Sequence, residues 1–230
     1  MDAKAIDTLI ERPVDFSIDG KRYRMWPMTL GKSLIISTLI EQLDVDREML
    51  AHSPVVETMR LASLHPDIVA RIIAIACAKG KQAVTSPDRM ARYEQAFAAA
   101  SVEDRASLLN VALSYDRRAE LCRTFGIDRE TDRMHKALRA KKDASDLTFG
   151  GCSIWGQLID PVCERYGWTM DYVLWGIGYT NLMMLVADKI QTIYLPEQER
   201  KSVHLPARGT NVKMADNMTA DELKSALGIK

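Results

Sequence analysis

The sequence predicts a mainly α-helical bundle with a small N-terminal β-hairpin, and three observations predict it. Apolar residues recur at three- and four-residue spacing over most of the chain between 29 and 195, the mark of helices with one buried face. Strict two-residue alternation is confined to residues 14–26, so any sheet is small. Pro54, Pro66 and Pro87 stand where helical patterns begin, the position at which a missing N–H costs least.

Val14, Phe16 and Ile18 alternate with Asp15, Ser17 and Asp19, which predicts a strand. Asp19-Gly20 supplies the positive-φ pair of a tight hairpin turn. Lys21 to Trp26 alternates on the return, and Pro27 ends the strand. Thr29 reads as the N-cap of a helix bearing Leu34, Ile35, Ile36, Leu39, Ile40 and Leu43. Helices follow at Pro54 and Pro66. The second carries Ile68, Val69, Ile72, Ile73 and Ile75; it should be deeply buried and end at Gly80-Lys81. Ser86-Pro87 opens a helix through Phe97. Ser101 caps another, with Leu108, Leu109, Val111 and Leu113, and Gly126 closes the one after it. Residues 129–142 read as an exposed basic helix, and 143–151 as a loop.

The C-terminal third is the most regular. Ile154, Trp155, Leu158, Ile159, Val162, Cys163 and Tyr166 form an apolar stripe. Gly167 fits the left-handed position after a helix. Thr169 is the next N-cap, with Trp168 and Val173 at the spacing of a hydrophobic staple. The helix it starts should bend near Gly176 and Gly178. Beyond Leu195 the periodicity fades, and 196–230 reads as a mobile tail with a short helix at 218–227. The expected organisation is an N-terminal hairpin segment (1–28), a helical region ending in a basic helix and loop (29–150), an apolar helical pair (151–195) and the tail (196–230).

The composition narrows the function classes. With 47% hydrophobic residues, the 230-residue chain can build a sizeable core. Its 31 basic and 31 acidic residues cancel, which argues against a protein that lives on phosphate backbones. Cys77, Cys122, Cys152 and Cys163 form no CxxC pair, so reduced thiols in a cytoplasm are expected. Residues 1–15 carry early acids and no apolar stretch, unlike a signal peptide. Tyr172 to Ala187 is apolar but too short to span a membrane, and no membrane association is expected.

No chemical signature is complete. Gly31-Lys32-Ser33 imitates the end of a phosphate-binding loop, but the glycine required five residues earlier is Trp26. The four histidines are isolated, no GxSxG is present, and Asp160 and Glu164 fit a solvated helix face. No catalytic residue, metal or cofactor is therefore expected; the chain reads as one that binds rather than catalyses. Two candidate contact surfaces remain. Arg133, Lys136 and Arg139 on the basic helix suit an acidic partner protein better than nucleic acid, because aromatics for base stacking are missing there. Trp155, Trp168, Tyr172, Trp175, Tyr179 and Met183 crowd the C-terminal third. A helix apolar on nearly every side needs cover from a partner or from a second copy of the chain.

Two segments together resemble a family. Phe16-Ser-Ile-Asp-Gly-Lys-Arg-Tyr-Arg-Met-Trp-Pro-Met-Thr-Leu-Gly31 runs from a hairpin into a helix. Tyr166-Gly-Trp-Thr-Met-Asp-Tyr-Val-Leu-Trp175 is followed by Tyr179-Thr-Asn-Leu-Met-Met. Together these look like tail assembly chaperones of tailed bacteriophages and prophages. The resemblance implies a small helical protein of the host cytoplasm that binds the tape measure protein transiently and helps recruit tail tube subunits. It covers about a third of the chain, 44–150 adds nothing to it, and it carries no functional residue across. A permanent virion component, such as a connector or baseplate protein, is the alternative, and a nucleic-acid-binding regulator comes third.

Overall fold

A computed structural model describes residues 3–141 and 149–203. The chain is mainly helical, with an antiparallel two-stranded hairpin near its N-terminus. Strands β1 (Val14–Ile18) and β2 (Lys21–Met25) pair in the register Val14↔Met25 to Ile18↔Lys21. Asp19 and Gly20 take φ of 48° and 76°, the left-handed pair that matches strand twist. Phe16 and Tyr23 face each other across the strands and stack at 5.7 Å. Before the hairpin lies α1 (Ala3–Leu9), a helix too short to show a period in sequence.

The Thr29 hydroxyl caps α2 (Leu30–Ile40) by accepting from the Lys32 N–H. Next come α3 (Arg47–His52), capped by Asp46, then α4 (Pro54–Leu64) and α5 (Pro66–Cys77). Glu57 of α4 is fully buried, accepts from the Asp46 N–H at 2.8 Å and pairs with Arg60. The Arg60 guanidinium holds the Glu57 carboxyl below its usual range.

Helix α5 is the axis of the main core. Val69, Ile72, Ile73, Ala74 and Ala76 are wholly excluded from solvent. Around α5 pack α2, α4, α7 (Pro87–Ala98) and α8 (Val102–Leu113). Each fully buried isoleucine there contributes about 1.5–3 kcal/mol. The Ser101 hydroxyl caps α8 by accepting from the Asp104 N–H at 3.0 Å. Arg105 of α8 donates to the carbonyls of Ala62, Ala98 and Ala100, so it ties α8 to α4 and to the end of α7.

The expected end of α5 is corrected. The helix stops at Cys77, and Gly80 (φ 70°) begins a separate short helix, α6 (Gly80–Val84). The Ala76 carbonyl accepts from the Trp26 N–H at 3.1 Å and the Lys32 ammonium at 3.2 Å. Distant groups thus close the last turn, and no glycine is needed there. Helices α9 (Arg118–Phe125) and α10 (Ile127–Ala140) meet at Gly126, whose φ of 72° ends the first as expected.

In the C-terminal third a π-helical turn (Trp155–Ile159) leads into α11 (Asp160–Tyr166). Pro161 is the cause: it has no N–H for the Gln157 carbonyl, and the Asp160 N–H reaches back to the Trp155 carbonyl instead. Gly167 (φ 64°) ends α11, and the Thr169 hydroxyl caps α12 (Met170–Trp175). The expected bend at Gly176 and Gly178 is a full break, after which α13 (Tyr179–Ala187) starts afresh. Thr29 pairs with Gly178 in an isolated β-bridge, and the Tyr179 N–H donates to the Met28 carbonyl at 2.6 Å. These bonds pull the chain out of the helix. Part of the expected tail is also ordered: α14 (Glu197–Ser202) packs on α10. The expected helix at 218–227 and most of the 143–151 loop lie outside the described residues.

Candidate protein-binding surface

The C-terminal third has a small core of its own. Leu30, Ile159, Val162, Val173, Ile177 and Leu182 are buried together. Leu30 comes from α2, so this core is seated on the start of that helix. Gly31 marks how close the seat is. A Cβ there would lie 2.9 Å from the Leu174 carbonyl oxygen and from the Trp175 ring.

With six- to nine-residue helices, this unit has little interior to offer its rings. The aromatics line its rim instead. Tyr166 stacks on Trp168 at 4.7 Å, and Trp168 meets Tyr172 edge-on at 5.0 Å. The Tyr166 hydroxyl donates to the Leu185 carbonyl at 3.3 Å. Trp155 is 60% exposed and Tyr172 44%. Such a ladder offers rigid apolar area at low entropic cost.

The six candidate aromatic and methionine positions therefore do not share one face. Trp168 and Tyr172 belong to the ladder, and Trp155 stands exposed on the π-helical turn. Trp175 is wedged against Gly31 and lines a shallow cleft beside Lys81 and Asp171, which pair at 2.9 Å. Tyr179 turns the other way and meets Tyr115 edge-on at 5.4 Å. Met183 is half-buried on α13.

Tyr179 instead lines a cavity of about 370 Å³ between α1, the end of β2, α8 and α13. Glu11 is its clasp: its carboxylate accepts from the Gly178 N–H at 2.6 Å and from the Asn181 amide at 3.1 Å. Glu11 lies in the left-handed region (φ 53°), a strained conformation for a non-glycine residue. Nothing local in the sequence pairs Glu11 with Gly178.

On α10, Arg133 pairs with Glu130 at 2.9 Å, whereas Lys136 and Arg139 are exposed. Among the described residues no group of three His, Cys, Asp or Glu side chains is placed to hold a metal ion. No helix among them is long and apolar enough to cross a membrane. Burial pushes the Cys77 thiol up to about 12 and raises that of Cys122, which keeps both unreactive. The buried Lys32 ammonium is pulled down to about 8, again by burial. No protein-family model, curated protein or solved structure matches this chain.

Proposed function

We propose that this protein is a phage tail assembly chaperone, which binds the tape measure protein transiently and helps recruit tail tube subunits. The observation that supports this reading is the aromatic ladder Tyr166–Trp168–Tyr172, with exposed Trp155 on the same short-helix unit. A long helical client presents apolar stripes that aggregate until the tube polymerises around them. An aromatic rim on a small, separately packed unit can cover such a stripe without disturbing the main core. The two resembling segments meet in the fold. The hairpin-to-α2 step and the α12–α13 break are joined by the Thr29–Gly178 bridge and the Gly31–Trp175 seat.

The test is co-expression with the long helical protein encoded immediately downstream. A soluble complex that dissociates when tube subunits are added is the expected result. A client that is equally soluble alone and never co-purifies overturns the reading. Mass spectrometry of purified particles separates a chaperone, absent from them, from a permanent connector or baseplate component.

A further inference from the structure

A groove on the opposite chemistry lies beside the hairpin. Two adjoining cavities, of about 500 and 570 Å³, share Tyr23, Trp26, Cys77 and Tyr93 as walls. The first is rimmed by Lys21, Lys79, Arg89 and Arg92, and the second by Arg22 and Arg24. Among the described residues of the two linings the lone carboxylate is Asp15, and Arg24 already holds it through two bonds of 2.5 and 2.8 Å. That bond keeps the Asp15 carboxyl below its usual range. The other five cations have no ion-pair partner among the described residues. In a chain whose charges cancel, these five convergent cations, of which Arg22 also faces the Asp15 charge, repel one another and make a local positive field.

We propose that this groove binds an acidic peptide segment of a partner protein, through carboxylates set between small apolar side chains. The rings favour a peptide over a nucleic acid. Base stacking needs free ring faces, and here each ring already has a partner on a face. Tyr23 stacks on Phe16, and Tyr93 stacks on Phe97 at 6.1 Å. Lys79 lies over the Trp26 ring at 4.3 Å, with Arg24 at 5.5 Å. What the groove still offers is cationic heads, the Tyr23 and Tyr93 hydroxyls, and apolar walls from Cys77, Ala83 and Ala96. Carboxylates take the first two, and short aliphatic side chains take the third. Arg89 and Arg92 sit one helical turn apart on α7, and each can grip a carboxylate bidentately. The inference stands on the groove alone and does not require the client proposed above.

The test is fluorescence anisotropy on the full chain with a fluorescein-labelled peptide of about twelve residues, repeating Glu-Ala-Asp-Leu. Binding should weaken by roughly tenfold or more between about 50 and 300 mM salt. The Lys79→Gln/Arg89→Gln/Arg92→Gln variant should lose roughly tenfold or more in affinity. A control variant at exposed positions away from the groove, Arg47→Gln/Arg123→Gln/Lys189→Gln, should bind as the parent does. If the groove triple does not fold, Arg89→Gln alone, which breaks no ion pair among the described residues, should still weaken binding several-fold. Absence of binding, binding indifferent to the groove substitutions, or an equal loss on the control variant would overturn the proposal. So would tighter binding of a thymidine oligonucleotide of equal length.

Discussion

The two hydrophobic clusters use aromatic rings in opposite ways. Around α5, Phe16, Tyr23, Tyr93 and Phe97 pack against one another with their faces covered, and Phe97 is fully buried. In the C-terminal unit Tyr166, Trp168 and Tyr172 form an equally close chain of rings, yet they border solvent. The difference is helix length. The main core is built from helices of eleven and twelve residues, which surround α5. The C-terminal unit has helices of six to nine, and its six buried aliphatic residues fill what interior it has. The same residue types are thus scaffold in one region and surface in the other.

Substitutions can break that contrast. Phe97→Ala should cost the most, about 3–5 kcal/mol in urea unfolding, because it opens a cavity where four rings meet. Lys32→Met comes next and acts with the opposite sign. Burial lowers the folded Lys32 from 10.5 to about 8, so charging it in place costs up to about 3 kcal/mol. The folded state then binds fewer protons than the unfolded one above pH 8, and stability rises with pH there. Cys77, raised from 9.0 to about 12, acts in reverse above pH 9. Lys32→Met should therefore stabilise at pH 7 by about 1–3 kcal/mol and erase the rise between pH 8 and 9. A destabilised variant with the rise intact would contradict this account.

Gly31→Ala strikes the seat between the clusters. Its Cβ would meet the Leu174 carbonyl, which is backbone and cannot swing aside. A loss of about 1–3 kcal/mol is expected, with limited proteolysis cutting near 167–169 before the main core opens. Trp168→Ala and Tyr172→Ala should cost the least stability, about 1 kcal/mol each, because both rings are only partly buried. Their effect should fall on client binding instead.

Local chemistry was legible in the sequence, and long-range bonding was not. Asp19-Gly20, Thr29, Ser101, Gly126, Gly167 and Thr169 all do what their side chains and φ preferences dictate. Helix α5 ends early because Trp26 and Lys32 cap it from elsewhere in the chain. The break after Trp175 is made by Met28 and Thr29, which no period could reveal. The ordered α14 depends on α10 in the same way. Of the candidate site, the ladder could be read from spacing, since Trp168 and Tyr172 flank one N-cap. The basic groove could not, because Lys21, Arg22, Lys79, Arg89 and Arg92 converge only in the fold.

The most direct test measures how much of the downstream helical protein stays soluble beside the parent chain and beside Trp155→Ala/Trp168→Ala/Tyr172→Ala. The triple variant should still fold, with a stability loss of about 2–3 kcal/mol, and lose most of the soluble client. A triple variant that keeps the client soluble as well as the parent does would show that the aromatic rim is not the binding surface.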